Sequence, residues 1–373
     1  MKNYKIVIDK KESFLIDEEE IDPNTINFMP EYCGVCGSDY KTWLGENNLA
    51  IKNVIPGHEV VGTLIKGGFK TKKKAVIYPY FNDCGKCIAC KNKLPNACLN
   101  SMTYGVQING FMQTAMRVAL PKIVEIKKIT KKECTEKNLK QFVLTEPLGV
   151  ALHALNKSGI KYGQTLLTIG DGAIGAMVQF AAVQKDLSVT NIIAKWFNKQ
   201  CVITELSEQA KKIKSLFYTL SIPAHLLTNI LLTTLKEEED VEVYNKDFYD
   251  VVIETTGSKA GMKDAVDCVR PGGTIVLIGG RKGIDSFDKG LVIKKEINMV
   301  GSRNCTLKEF KKALKMIRNN MEILASSQII EDDDSIKMET FDIAFNEQRR
   351  THSIKTVIKI KAEEKFNKFG MLD

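Results

Sequence analysis

The stretch from Thr165 to Val183 constrains the fold more than any other part of this chain. Thr165-Leu-Leu-Thr-Ile169 reads as a buried strand, Gly170-Asp-Gly172-Ala-Ile-Gly175 follows at once, and Ala176 to Val183 reads as an apolar helix. Gly-x-Gly-x-x-Gly between a strand and a helix is the context in which this motif binds a dinucleotide. The first glycine permits the tight turn, the second lets backbone approach a pyrophosphate, and the third lets helix pack on strand. Gly170, Gly172, Ile174 and Gly175 are therefore the candidate cofactor contacts, with Asp171 an unusual acid among them.

The end of the next strand should name the cofactor, because an acid there suits a free ribose and a base suits a 2′-phosphate. Asn191-Ile-Ile-Ala194 ends at Lys195, which points to NADP. A rival strand, Cys201-Val-Ile-Thr204, ends at Glu205 and points to NAD, at the cost of extra residues before it. Spacing favours Lys195, and both readings stay open. From Trp196 to Lys246 the spacing is helical and suits an extra surface helix. Regularity returns with strands at Tyr249–Glu254, Thr274–Ile278 and Asn298–Gly301, and a helix ending near Val269. Strands alternating with helices predict a parallel sheet covered on both faces.

Cys84-x-x-Cys87-x-x-Cys90 followed by Cys98 is the second constraint. Four thiolates at such short spacing can close a tetrahedral site, and a closed all-sulfur site is structural rather than catalytic. The chain has 10 cysteines. The N-terminus, Met1 to Asp9, alternates like a strand and lacks the apolar core of a signal peptide. A reducing cytoplasm is expected, with metal or free thiols in place of disulfides.

A different set of ligand types lies upstream, in Cys33-Gly-Val-Cys-Gly-Ser-Asp39 and Gly57-His-Glu59. Thiolate, imidazole and carboxylate are the donors of a catalytic zinc, which keeps one position open. Spacing does not separate Cys33 from Cys36, and the same residues suit a small buried thiol with an unrelated His-Glu pair. Ser38 lies where its hydroxyl could face an open metal position. Asp39 is placed to accept the second ring N–H of His58 and fix its tautomer.

The rest of residues 1 to about 125 is a series of short β-like runs: Lys5–Ile8, Val60–Leu64, Ala75–Tyr78 and Thr114–Leu120. That rhythm suits a barrel. A helix is expected over Leu148–Leu155, with Pro147 in its first turn and His153 in its core-facing pattern. A helix over Leu307–Ile317 and a strand over Thr356–Ile360 follow, and the last dozen residues read as a loose tail. Net charge is +9, but the lysines are scattered without an accompanying stripe of arginine and aromatic residues, so no nucleic-acid face is expected. No apolar run approaches the ~18 residues that span a bilayer, so no membrane partner is expected.

Taken in order, these pieces resemble a zinc-dependent medium-chain dehydrogenase/reductase of the alcohol dehydrogenase superfamily, in its polyol (sorbitol-type) branch. The resemblance rests on Cys33–Asp39, Pro56-Gly-His-Glu59, the four-cysteine lobe, Glu146-Pro-Leu148, the glycine motif, Arg270-Pro-Gly-Gly273 and Val300-Gly-Ser302, spread over nearly the whole chain. It implies an α/β fold: a GroES-like β-barrel catalytic domain over 1–149 and 303–373, with a structural zinc lobe at 82–100, and a Rossmann doubly wound parallel sheet over 150–302. It implies Cys36, His58, Glu59 and Glu146 as ligands or near-ligands of a catalytic zinc, and Cys84, Cys87, Cys90 and Cys98 as ligands of a second. It further implies Ser38 as proton relay, hydride transfer between a polyol, sugar alcohol or related secondary alcohol and NAD or NADP, and a homodimer or homotetramer. Tyr40, Glu146 and Arg303 are candidate contacts to substrate hydroxyls. Lys41 departs from the pattern where relatives often place a relay histidine.

Two alternatives compete. A threonine- or butanediol-type dehydrogenase shares the ligand set and differs only in pocket residues. A non-catalytic zinc-binding nucleic-acid module would explain the lobe and the charge, but has no use for His58, Glu59, Glu146 or the glycine motif.

Overall fold

The structure is a computed structural model that describes residues 1–170, 172–184, 190–193, 246–280, 287–327, 329–330, 341, 344–345 and 354–360. The chain divides into two compact units, Met1–Glu146 with Thr306–Asp373, and Pro147–Cys305. The surface helix expected over Trp196–Lys246, save Lys246 itself, lies outside the described residues, as do the expected tail, Asp171, Lys195 and Glu205.

In chain order the first unit begins with β1 (Lys2–Lys10), β2 (Ser13–Glu20), β3 (Phe28–Gly34), α1 (Gly37–Trp43), β4 (Glu59–Lys66), β5 (Phe69–Ile77), β6 (Tyr80–Phe81), β7 (Met102–Thr103) and β8 (Ile123–Glu125). Helix α2 (Thr145–Ser158) leads into the second unit, which holds β9 (Leu166–Ile169), α3 (Ala173–Val183), β10 (Thr190–Ile193), β11 (Tyr249–Glu254), α4 (Lys259–Cys268), β12 (Val269–Leu277), α5 (Lys289–Lys294) and β13 (Asn298–Gly301). The chain then returns to the first unit through α6 (Leu307–Asn319), α7 (Met321–Ser326) and β14 (Val357–Lys359).

The first unit is built on an antiparallel sheet in the order β14-β3-β4-β5-β8. The strand expected over Thr114–Leu120 does not form a ladder; Gln113 and Met116 make isolated bridges to Lys5 and Phe28. The cause is Asn3, which is 2% exposed and whose amide bonds the Gln113 and Thr114 side chains and the Ala115 N–H, all at 3.0–3.1 Å. Side-chain bonds thus satisfy backbone groups that a ladder would otherwise pair. The core beneath the sheet gathers Ile6, Phe28, Phe111, Met112, Phe345 and Ile358.

The second unit carries a parallel sheet in the order β10-β9-β11-β12-β13. Its central strands are buried apolar runs, as strands covered on both faces must be. β10 lies on one side of β9 and β11 on the other, so the order reverses there. In open α/β sheets such a reversal opens a crevice at the carboxyl ends of the strands. Gly170 sits at that end of β9, with φ +113°.

Candidate metal centre and nucleotide turn

The candidate metal centre is assembled from the start of α1 and the start of β4. Cys36 is the N-cap of α1, and its backbone N–H donates to Asp39 Oδ2 at 2.9 Å. The other Asp39 oxygen accepts the Gly57 N–H at 3.1 Å and lies 3.5 Å from His58 Nδ1. One fully buried carboxylate therefore ties together the two segments that carry the ligand types. Gly57 adopts φ +94°, a conformation glycine tolerates, and a Cβ there would stand 2.6 Å from Cys33 Sγ. Cys33 is accordingly packed behind the turn in the apolar core. Spacing could not separate the two thiols; packing does.

Cys36, His58 and Glu59 each offer one ligand atom, and these atoms lie within 4.8 Å of one another. His58 is 4% and Glu59 1% exposed. Gly34 makes room for the carboxylate, since a Cβ at that position would fall 2.2 Å from Glu59 Oε2. Lys355, 3% exposed, sets its Nζ 2.7 Å from Glu59 Oε1 and 2.5 Å from Oε2. Glu146, in the first turn of α2, is buried nearby and accepts the Tyr80 hydroxyl at Oε1. Lys355 and Tyr80 were not legible in the sequence, because each reaches its carboxylate across a long separation in the chain.

The electrostatics match a cation site. Burial works against the charge on His58, but Asp39 and then Cys36 outweigh it and push the imidazole well above its usual range. Burial likewise opposes the Asp39 charge and is outweighed by His58 and the backbone N–H groups of Cys36 and Gly57. Burial, then the Glu59 charge, pushes Glu146 up to about 7. Burial opposes the Lys355 charge, yet Glu59 and Cys36 hold its pKa above the ordinary lysine value. Acidic groups converge on a dry site where Lys355 supplies cationic charge, and a divalent cation suits that donor set.

The second cluster has a geometry that names its metal class. Cys84, Cys87, Cys90 and Cys98 lie within 4.8 Å of one another, with Cys84–Cys90 and Cys87–Cys98 sulfurs 3.9 Å apart. A tetrahedron with Zn–S bonds of ~2.3 Å has edges of about 3.8 Å, so the cluster fits zinc without rearrangement. Asn100 Nδ2, then the backbone N–H groups of Cys87 and Lys86, draw the Cys84 thiol down to about 5, towards the thiolate that metals bind.

Two family models match: the alcohol dehydrogenase GroES-like domain over residues 23–128, inside the first unit, and the zinc-binding dehydrogenase model over 188–319, most of which falls in the second. The chain belongs to the zinc-type medium-chain alcohol dehydrogenase superfamily. Among relatives within this superfamily, it is 28% identical to D-arabinitol dehydrogenase 1 of Uromyces fabae, over 76% of each chain. It is 27% identical to L-galactonate-5-dehydrogenase of Escherichia coli, over 75% of this chain and 76% of that one. The crystal structure of Escherichia coli L-idonate 5-dehydrogenase shares its fold, with a TM-score of 0.73 at 20% identity over 96% of this chain and 98% of that one.

At the glycine turn of the second unit the backbone is closely packed. Gly172 is the N-cap of α3, and Ile174 and Gly175 lie in its first turn. A Cβ on Gly175 would stand 1.9 Å from the Gly170 carbonyl, and one on Gly170 would stand 2.3 Å from Thr255 Oγ1. Thr255 bonds the Ile169 carbonyl through its N–H at 3.0 Å and its hydroxyl at 2.8 Å. Glu254, 2% exposed, shapes the following turn by accepting the Thr256 N–H at 2.7 Å and the Gly257 N–H at 3.0 Å. Of the remaining candidates, Ser38 is half-buried in the first turn of α1, Tyr40 packs on Trp43 with centroids 5.3 Å apart, His153 is half-buried and Arg303 is exposed.

Proposed function

We propose that this protein is a zinc-dependent, nicotinamide-linked oxidoreductase acting on a secondary hydroxyl of a polyol, sugar alcohol or sugar acid. The observation that carries the reading is the buried set of thiol, imidazole and carboxylate at Cys36, His58 and Glu59, in a chain that also holds a glycine turn at a sheet switch point. The relatives act on arabinitol and galactonate, compounds rich in adjacent hydroxyls. We assign zinc and substrate binding to the GroES-like unit, dinucleotide binding to the parallel-sheet unit, and a purely structural zinc to the four-cysteine lobe.

Bound to Cys36, His58 and Glu59, zinc supplies Lewis-acid polarisation of a substrate hydroxyl, and nicotinamide supplies the hydride acceptor. The chain supplies the rest. Asp39 orients His58 and anchors the Cys36 loop, an arrangement that fixes a ligand before the metal arrives. Lys355 balances the Glu59 charge. Ser38, half-buried in the first turn of α1, takes the hydroxyl proton and passes it outward to solvent. Gly170, Gly172 and Gly175 let backbone approach the pyrophosphate, and Ile174 in the first helical turn borders it. The free thiols of the described cysteines suit a cytoplasmic setting, and a homodimer or homotetramer is the assembly we infer.

The test is a dehydrogenase screen of polyols, aldonates, sugar phosphates and short diols with NAD+ and NADP+, run beside metal analysis. Two zinc ions per chain and reduction of one cofactor by one polyhydroxy class are expected. Turnover of threonine or butanediol alone would move the chain to that branch of the family. One zinc per chain and no turnover would overturn the reading.

A further inference from the structure

The four-cysteine lobe carries an uncovered apolar face. Leu99 is 75% and Ile88 64% exposed, and Leu94 and Met102 are exposed beside them in the chain. The Cys87 and Cys98 sulfurs, 3.9 Å apart, bring Ile88 and Leu99 into one small region, and the Leu94 N–H bonds the Ala89 carbonyl at 2.8 Å. Lys86, Lys91 and Lys93 are exposed on the same lobe and make no ion pair among the described residues. No acid occurs from Cys84 to Asn100, so the lobe stays net positive even around a zinc tetrathiolate.

A surface of opposite character lies on β2 of the same unit. Leu15 and Ile16 are exposed there, and the exposed run Asp17-Glu-Glu-Glu20 follows. Lys2 and Lys5 of β1 answer Asp17, Glu18 and Glu19, whereas Glu20 has no ion pair among the described residues. Among those residues β2 pairs with β1 alone, which leaves its outer edge open. Scattered apolar side chains are ordinary on a surface, but 6 of the 13 large exposed ones described crowd onto these two elements.

We propose that the lobe of one copy of this chain docks on the β1–β2 hairpin of a second copy. Ile88, Leu94 and Leu99 meet Leu15 and Ile16, and the lobe lysines face the run from Asp17 to Glu20. An anionic bilayer would account for the lobe but not for an acidic, apolar β2; a second copy accounts for both. Apolar burial supplies the affinity, because exposed ion pairs contribute little, and the charges fix the orientation. A metal-clamped lobe presents its side chains already ordered, which lowers the cost of association. Across a two-fold axis the contact is made twice and all four surfaces are covered. The inference gives the assembly inferred above a specific face, and it does not depend on the catalytic chemistry.

The experiment follows the zinc-loaded full chain by sedimentation velocity over a dilution series. Wild type should associate, and Leu99→Asp should weaken that association by about tenfold or more while zinc content and melting temperature stay unchanged. Ile16→Asp, on the other element, should do the same and decides the matter where Leu99→Asp fails to fold. Two charge reversals then test the pairing itself. Lys91→Glu with Lys93→Glu makes both surfaces acidic, and Glu18→Lys with Glu20→Lys makes both basic, so each protein alone should associate poorly. Mixed in equal amounts, the two should form a heterodimer in which both contacts are again complementary. A mixture no better associated than its components would overturn the inference. So would Leu99→Asp and Ile16→Asp proteins within about twofold of wild type, or a wild type that stays monomeric, whether or not phosphatidylglycerol vesicles capture it. A wild type without dehydrogenase activity would overturn the proposed function and leave this contact standing.

Discussion

Lys355 grips Glu59 with its Nζ 2.7 Å from one carboxylate oxygen and 2.5 Å from the other, and both side chains are almost wholly removed from solvent. The same ammonium bonds the Val35 carbonyl at 3.0 Å, one residue before Cys36. One lysine therefore braces both segments that carry the candidate metal ligands. Removing it leaves a carboxylate buried without its cation. Lys355→Met should destabilise the fold by about 3–5 kcal/mol in urea unfolding, and should lower zinc occupancy at the catalytic centre. Unchanged stability and metal content would show the pair to be incidental.

The two metal centres should respond differently to loss of a thiol. Cys36→Ser is expected to abolish turnover while leaving one tightly held zinc and a cooperative melt. Cys90→Ser is expected to release the lobe zinc and lower the melting temperature, because a closed four-ligand site contributes folding energy directly. Metal analysis and calorimetry on the two variants check this. Full activity in Cys36→Ser would remove that residue from the ligand set.

Gly175→Ala should damage the nucleotide turn. The added methyl would stand 1.9 Å from the Gly170 carbonyl, a backbone atom that cannot move aside without reshaping the turn. We expect loss of nicotinamide binding, read by NADH or NADPH fluorescence titration, and about 1–3 kcal/mol of destabilisation. Wild-type affinity in this variant would mean the cofactor does not use the turn.

Asp250 gives a pH-dependent signature in the parallel-sheet unit. Its carboxylate accepts Thr165 N–H at 2.8 Å and Arg270 Nε at 2.8 Å. Burial would raise its pKa, but the Thr165 N–H and Arg270 outweigh burial and hold it below the usual carboxylate range. Its contribution to stability is therefore complete above the unfolded value of ~3.9 and disappears as pH falls through the lower folded value. Asp250→Asn should cost about 1–2 kcal/mol at pH 7 and progressively less as pH falls through the folded-state value in urea titrations. A cost independent of pH would refute the assignment.

The parts legible in the sequence were those written in short spacings. The four cysteines of the lobe meet one another, and Gly175 meets the Gly170 carbonyl, within a few residues of sequence, so spacing conveys that part of the geometry. The strands over Val60–Leu64 and Tyr249–Glu254 were legible through their apolar content, because each buries a continuous surface. Cys33 and Cys36 looked alike, since only the packing of Gly57 against one sulfur distinguishes them. Tyr80 and Lys355 carried no local signal: the sheet brings them to Glu146 and Glu59 from 66 and 296 residues away. Asn3 misled the strand reading at Thr114 for the same reason, by supplying from a distance bonds that a neighbouring strand normally provides.

Asp39 anchors backbone on both sides of the metal centre, and it does so from inside α1, whose next turn presents Tyr40, Lys41 and Trp43. One buried carboxylate consequently couples the Cys36 turn to the Gly57 turn, so a displacement of either segment is handed to the other through a single side chain.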